Sequence, residues 1–286
     1  MDYTQPHPPL NVTPSADVPT AAASTTSAAG TSVPSAADTT VPSLILRLST
    51  EEFAFAITSG EEKREIPYSC YAVDETRSLT ANLKRFVREK EWRAHTFREV
   101  KVVMASHRFT LMPLELFEDE QAELLFYHNL SPMENEEVKY NILPGSNVVV
   151  LFGIDRSAAR FLNELWGPVM FYSQAAPLID HLATMNRQQS RQRLFVNLHA
   201  NLMEVYAFER GQLLMGNAHE CSYTTDRLYY LLSLWKQLQF DPLEEQITLC
   251  GKPREVDQLV QLLRRYIRHV ETIPASTYLD LSLLMA

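Results

Sequence analysis

The sequence predicts an α/β protein of two lobes, each a mixed sheet that opens on a three-stranded antiparallel meander. Three observations predict it. Short runs with apolar residues at every second position fall in two clusters, residues 44–70 and 193–220, and such runs are half-buried strands. Each cluster is followed by a helix-spaced segment and then a short apolar strand, the alternation of an α/β lobe. Shifting the first cluster by 151 residues places Phe55 on Tyr206, Ala56 on Ala207, Ile57 on Phe208, Gly60 on Gly211 and Cys70 on Cys221. That register points to an internal duplication with lobes of about 120 residues, near the usual size of a domain.

Residues 1–42 stand apart. They are almost entirely Ala, Ser, Thr, Pro and Val with scattered Asp, and contain no Lys, Arg, Phe or Trp. Such a segment buries too little apolar surface to offset its ordering entropy, so a disordered tail is expected. Arg47 is the first Lys or Arg, and no apolar core follows Met1, which argues against an ordinary signal peptide.

From Ser43 the pattern changes. LILRLST (44–50) and EFAFAIT (52–58) read as strands, Ser59-Gly60 as a turn, and REIPYSC (64–70) as a returning edge strand, where Pro67 is tolerated because an edge leaves one side unpaired. Leu79, Leu83, Phe86 and Val87 recur at helical spacing, and EVKVVMAS (99–106) is a short buried strand. Residues 108–145 read as an inserted subdomain: extended RFTLMPLELF, helical EDEQAELLFYHNL and a strand EVKYNIL. The acids Glu118, Asp119, Glu120 and Glu123 suit the positive end of that helix better than a metal. NVVVLFGI (147–154), a helix through Ala158, Phe161, Leu162 and Leu165, PVMFYS, and a helix through Leu178, Leu182 and Met185 then give strand, helix, strand, helix.

The second meander is RLFVNLHANLMEVYAFERGQLLMGNAHE (193–220). It is followed by a helix through Leu228, Leu231, Leu232, Trp235 and Leu238, a strand EQITLCG, and a helix through Val256, Leu259, Val260, Leu263 and Ile267. TYLDLSLLMA alternates from Tyr278 to Leu283 and is expected to add as a strand to the protein's own sheet, the alternative being a sheet of another protein. The expected organisation is a tail at 1–42, a first lobe at 43–188 with its insert at about 108–145, and a second lobe with the carboxy-terminal tail at 189–286.

Composition narrows function by exclusion. The chain has 286 residues, 45% of them hydrophobic, and a formal charge of −9. The densest apolar run, NVVVLFGI, falls short of the roughly 20 residues a membrane helix needs. Cys70, Cys221 and Cys250 are odd in number and widely spaced, which suits reduced thiols in a cytoplasm better than a disulfide framework or a zinc site. The acidic balance speaks against a nucleic-acid binder. Arg187, Arg191 and Arg193 sit in a polar connector, and Arg264, Arg265 and Arg268 are expected in the last turns of the final lobe helix, where cations suit the dipole. No GxxxxGK, GxGxxG, GxSxG or HExxH occurs, so P-loop, Rossmann, nucleophile-elbow and zincin chemistry has no anchor. His199 and His219, and Lys252 after Gly251, are read as ordinary hydrogen-bonding and surface residues.

This order of elements resembles the actin-like ATPase superfamily, with two ribonuclease-H-like lobes in tandem. The segments NVVVLFGIDRSAARFLNELW, PVMFYSQAAPLIDHL and LFVNLHANLMEVYAFERGQLL are similar to those of cytoplasmic pilus-assembly and type II secretion proteins of that fold. More specifically, residues 43–274 resemble the bacterial family catalogued as domain of unknown function 3822. The resemblance implies two phosphate loops and an adenosine loop. Where the first loop should read Asp, an aliphatic, Gly and Thr, this chain has Arg47, Leu48, Ser49 and Thr50. Where the second should read Asp, an aliphatic and glycines, it has Asn197, Leu198, His199 and Ala200, and the paired glycines of the adenosine loop are reduced to Gly251. Glycines let backbone N–H groups approach a phosphate, and aspartates organise Mg²⁺ and its waters; an Arg and an Asn cannot take over as metal carboxylates, although a cation at Arg47 can still attract an anion without catalysis.

The expectation is therefore a degenerate actin-like protein: no catalytic residue, no metal ligand, no cofactor, and a role as a cytoplasmic binding or scaffolding module for a protein partner. The alternative is a working ATPase or kinase that binds ATP and magnesium through displaced carboxylates, for which Asp155, Glu204 and Asp226 stand nearest. A second alternative is a ribonuclease-H-like nuclease, whose two metals would again need an aspartate near Arg47 or Asn197.

Overall fold

The computed structural model describes residues 41–58, 68–189, 191–251, 253–273 and 278–284. The tail at 1–40, the Ser59-Gly60 turn, residues 61–67 with Pro67, and Lys252 lie outside them.

Strands β1 (Ser43–Leu48), β2 (Glu52–Thr58) and β3 (Ser69–Ala72) form the first meander. β1 is buried throughout because both faces of its sheet are covered: Leu44, Leu46 and Leu48 join the large core with Phe53 and Phe86, while Ile45 turns to the opposite face with Ala54 and Ala56. Helix α1 (Leu79–Glu89) begins where the Ser78 hydroxyl accepts the Ala81 N–H and packs Leu83, Phe86 and Val87 on the sheet. Strand β4 (Val100–Met104) pairs parallel with β1, and β8 (Met170–Ser173) parallel with β4, giving the order β3-β2-β1-β4-β8.

Between β4 and β8 the chain builds a second, three-stranded layer. It contains β5 (Phe109–Pro113), helix α2 (Ala122–Asn129), β6 (Glu136–Leu143) and β7 (Val148–Asp155), in the antiparallel order β5-β7-β6. NVVVLFGI is thus the centre of the small sheet and not a strand of the main one, although helix α3 (Arg156–Trp166), β8 and helix α4 (Ala175–Asn186) follow in the expected order. An apolar run buried on both faces reads alike in either setting. Here Val150, Phe152 and Ile154 enter the main core, while Leu151 meets Phe126 of α2. The Asn141 side chain on β6 donates to Phe171 O (3.0 Å) and accepts from Ser173 N (2.9 Å), satisfying the outer edge of β8.

The second sheet contains β9 (Arg193–Leu198), β10 (Leu202–Glu209), β11 (Gln212–Glu220), β12 (Gln246–Gly251) and β13 (His269–Thr272). Its order, β11-β10-β9-β12-β13, repeats that of the first sheet. Helices α5 (Thr224–Gln237) and α6 (Pro253–Leu263) cover it. β13 is a four-residue polar edge with no period-2 run to announce it. α6 ends at Leu263, so Arg264, Arg265 and Arg268 follow the helix instead of occupying its last turns, Arg264 N–H still donating to Val260 O at 3.0 Å, while Ile267 is buried just beyond.

Strand pairing fixes the repeat at 150 residues, not 151. Leu48 pairs with Phe53 and Leu198 with Met203, so Phe55 corresponds to Val205, and Tyr206 to Ala56. A one-residue slip turns a side chain to the other face: Phe55 packs under α1, whereas Tyr206 faces the first lobe. Cys70 pairs with Ala54, whose counterpart Glu204 pairs with Ala218, so Cys70 and Cys221 are not equivalent. The carboxy-terminal TYLDLSLLMA also departs from expectation. It forms helix α7 (Leu279–Leu283) and not a strand, and Tyr278, Leu281 and Leu284 pack on Ile45, Ala54, Val103 and Tyr172 of the first sheet. Spacings of three residues bury one side of a helical turn, and this outweighs the weaker alternation.

Candidate functional site

The two sheets meet through α4 and through the inner face of β9, β10 and β11, where Phe195, Tyr206 and Phe208 share one core with Leu178, Ile179 and Leu182. Above this seam lies a cleft of about 690 Å³ at the carboxyl ends of β1, β4 and β9, the end at which open α/β sheets take ligands. Its walls are the β1–β2 turn, the β3–α1 loop, the end of β7 and the β9–β10 turn.

Arg47, the last but one residue of β1, is the centre of this region. Its side chain is 3% exposed, and its Nε donates to Asp280 Oδ2 at 2.7 Å. Burial by itself would lower the guanidinium pKa, but Asp280 and, more weakly, Glu204 and Tyr278 raise it overall. The guanidinium lies over the Tyr278 ring at 4.8 Å. Its Nη2 is 3.5 Å and 3.4 Å from the two ring nitrogens of His199; near-equal distances put it against the imidazole face, a stacking contact and not an in-plane hydrogen bond.

The second turn supplies the other half. Glu204 is fully buried and accepts three bonds, from Asn197 Nδ2 at 2.8 Å, His199 Nε2 at 3.0 Å and Tyr206 Oη at 2.8 Å. A carboxylate only accepts, so Nε2 of His199 carries a proton. Burial, then the Glu204 charge and hydrogen bond, hold the Tyr206 phenol well above its usual pKa and keep it a donor. Arg227 grips the turn from below, donating from Nη2 to His199 O and Ala200 O, both at 2.6 Å, and from Nε to Cys221 O at 3.1 Å.

Several backbone donors at the two turns are engaged as well. The Ser49 hydroxyl accepts from the Glu51 and Glu52 N–H groups at 3.3 and 3.1 Å and donates to Glu52 O at 2.7 Å. The Asn201 N–H donates to Glu51 Oε1 from the other lobe at 3.1 Å. On the rim His107 Nδ1 lies 2.7 Å from Glu220 Oε1.

Of the positions singled out in the sequence, Arg47, Asn197 and His199 converge in one buried network. Ser49, Thr50 and Ala200 stand in the cleft wall. Gly251 does not line the cleft: it pairs with Leu198 at φ +138°, and a Cβ there would meet Leu198 O at 2.5 Å. The three displaced carboxylates do not gather. Asp155 caps α3 through Ala158 N at 2.6 Å, Glu204 is the buried acceptor, and Asp226 lies in the first turn of α5. His219 stacks on Tyr230 at 4.9 Å, apart from His199's partners.

Residues 35–270 match the model of the family described as "Protein of unknown function (DUF3822)". The chain belongs to this family. Among solved structures it is similar to a Bacteroides thetaiotaomicron protein described as having an actin-like ATPase fold and unknown function, at 38% identity and a TM-score of 0.79, over 89% of this chain and 99% of that one. A PilM–PilN type IV pilus biogenesis complex is similar at 14% identity and a TM-score of 0.51, over 85% of this chain and 98% of that one. No curated protein matches. The fold of this family member is accordingly the actin-like ATPase fold, and among the described residues no helix is long and apolar enough to cross a membrane.

Sequence reasoning missed Asp280, Tyr278, Glu51 and Arg227 at this site. Arg227 did carry a signal: it stands at i, i+4, i+8 with Leu231 and Trp235 on the buried stripe of α5, and a cation on a core stripe needs buried acceptors. Asp280 lies 233 residues from Arg47, and nothing local marks it.

Proposed function

We propose that this family member is an actin-like protein without ATP hydrolysis, acting in the cytoplasm as a binding or scaffolding module for another protein. The observation that carries this reading is the Arg47–Asp280 pair beside His199. A buried guanidinium and an imidazole stand at the ends of the two strands where an ATPase needs metal-organising carboxylates. Two further features support it: the Ser49 hydroxyl and the Glu51 carboxylate take up the N–H groups of Glu51, Glu52 and Asn201. Phosphoryl transfer depends on charge stabilisation and positioning, and both sources are engaged in internal contacts. With hydrolysis gone, the remaining asset is surface. PilM is seen in complex with PilN, and a protein-bound use of the same fold is the role proposed here.

The test is phosphate release by purified protein with Mg²⁺ and saturating ATP, beside an Asn197→Ala variant. The expected result is no release above a background that the variant shares. Magnesium-dependent turnover that Asn197→Ala abolishes overturns the reading.

A further inference from the structure

We propose that the two lobes are latched shut by the protein's own side chains, so that lobe closure is constitutive and is not governed by a nucleotide. This rests on the reading of the cleft given above and adds how its geometry is controlled. Three polar contacts at the cleft cross from the first lobe to the second, two of them between the β1–β2 and β9–β10 turns and their strands and one on the rim. Arg47 on β1 stacks on the His199 imidazole at 3.4–3.5 Å. Glu51 in the β1–β2 turn accepts the Asn201 N–H at 3.1 Å. His107 meets Glu220 at 2.7 Å on the rim. The first two join the very turns that a phosphate chain would otherwise bridge, one turn from each lobe.

The latch is built to hold. On its first-lobe side, Arg47 is fixed by Asp280, which α7 brings onto the first sheet, and Asp280 also accepts the Leu281 N–H at 2.9 Å. On its second-lobe side, His199 is fixed by Glu204, itself held by Asn197 and Tyr206, and its carbonyl is fixed by Arg227. Opening the lobes would expose the Arg47–His199 face to water while leaving Arg47 with Asp280 and His199 with Glu204. The parting plane therefore runs between Arg47 and His199, and α7 moves with the first lobe. A ligand shifts a conformational equilibrium only through differential affinity for the two states; because the Arg47–His199 and Glu51–Asn201 contacts already join the two turns, closure does not wait on Mg-ATP.

Hydrogen exchange of the full-length protein tests this, read at the amides of residues 199–203 with and without millimolar Mg-ATP. The wild type is expected to exchange at the same rate in both conditions. Glu51→Ala, on the partly exposed rim, is expected to speed exchange of the Asn201 amide several-fold, and Arg47→Met paired with Asp280→Leu to speed the whole turn by about 10-fold or more, as local opening free energy falls. The paired change removes one buried charge of each sign and leaves Glu204 with its three hydrogen-bond donors, and Glu51→Ala decides the matter if the pair does not fold. Slower exchange of the wild type in Mg-ATP overturns the latch, as does wild-type exchange in the variants. Phosphate release with unchanged exchange would sink the loss of hydrolysis and leave the latch standing. Exchange slowed by Mg-ATP without release would do the reverse.

Discussion

A guanidinium keeps its proton in any protein environment, so an arginine at the end of a buried strand must find a counter-charge or unfold the strand. Arg47 finds Asp280, at the cost of taking a carboxylate fully out of water. The same logic surrounds Glu204, whose three donors leave neither oxygen stranded. Cys250, on the neighbouring β12, shows burial as the largest influence, opposed by a backbone hydrogen bond at Gly251 and aided by the charges of Asp280 and Glu204, with its thiol pushed up from 9.0 to about 11. Burial favours the neutral thiol, so the folded chain holds this proton to higher pH than the unfolded one. Its stabilising contribution is complete below pH 9.0 and is lost as pH rises through about 11. Urea unfolding should show stability falling across that window, with Cys250→Ala removing up to about 2–3 kcal/mol of the fall; a slope unchanged in the variant would reject the assignment. At this scale the sequence was legible where it departed from a pattern, at Arg47, Asn197 and His199, because a missing aspartate or glycine is visible in place. Their partners were not, because a counter-ion two hundred residues away leaves no local mark.

Elements were easier to read than their neighbours. Period-2 runs located β1, β2, β9 and β10, and 3.6-residue spacing located α1, α3, α5 and α6, since each pattern follows from which face is buried. Sheet membership was hidden for β7, and the exact repeat offset was hidden because matching residue types across strands tolerates a slip that hydrogen-bond pairing does not. Gly251 illustrates how an element can preserve a residue for its own reasons. At φ +138° with Leu198 O only 2.5 Å from a would-be Cβ, it lets the end of β12 lie against β9. Gly251→Ala should destabilise the protein by about 1–3 kcal/mol through strain and backbone displacement, measured by urea denaturation. An alanine variant as stable as wild type would show that this close approach is not needed. Gly211 has a related duty, following Arg210 at φ 49° with φ 84° of its own in the two-residue turn between β10 and β11.

Across the whole molecule, the lobes share a single apolar core through α4 in addition to the polar latch. A ligand that binds only the folded state raises its stability by RT ln(1 + [L]/Kd), about 2.7 kcal/mol at one hundred times Kd. Millimolar Mg-ATP is therefore expected to leave the melting midpoint unchanged within about 1 °C, where tight binding would raise it by several degrees; a shift of that size would contradict the latch, while the loss of hydrolysis would stand or fall on phosphate release. The return of α7 to the first sheet has a bearing on how the protein is made. Ribosomes release roughly 5–20 residues per second, and Asp280 follows Arg47 by 233 residues, so the nascent first lobe must wait on the order of tens of seconds for its counter-ion. During that interval β1 carries a charge whose counter-ion, Asp280, has yet to be made, so the first lobe reaches its final burial of Arg47 only after the last helix has arrived.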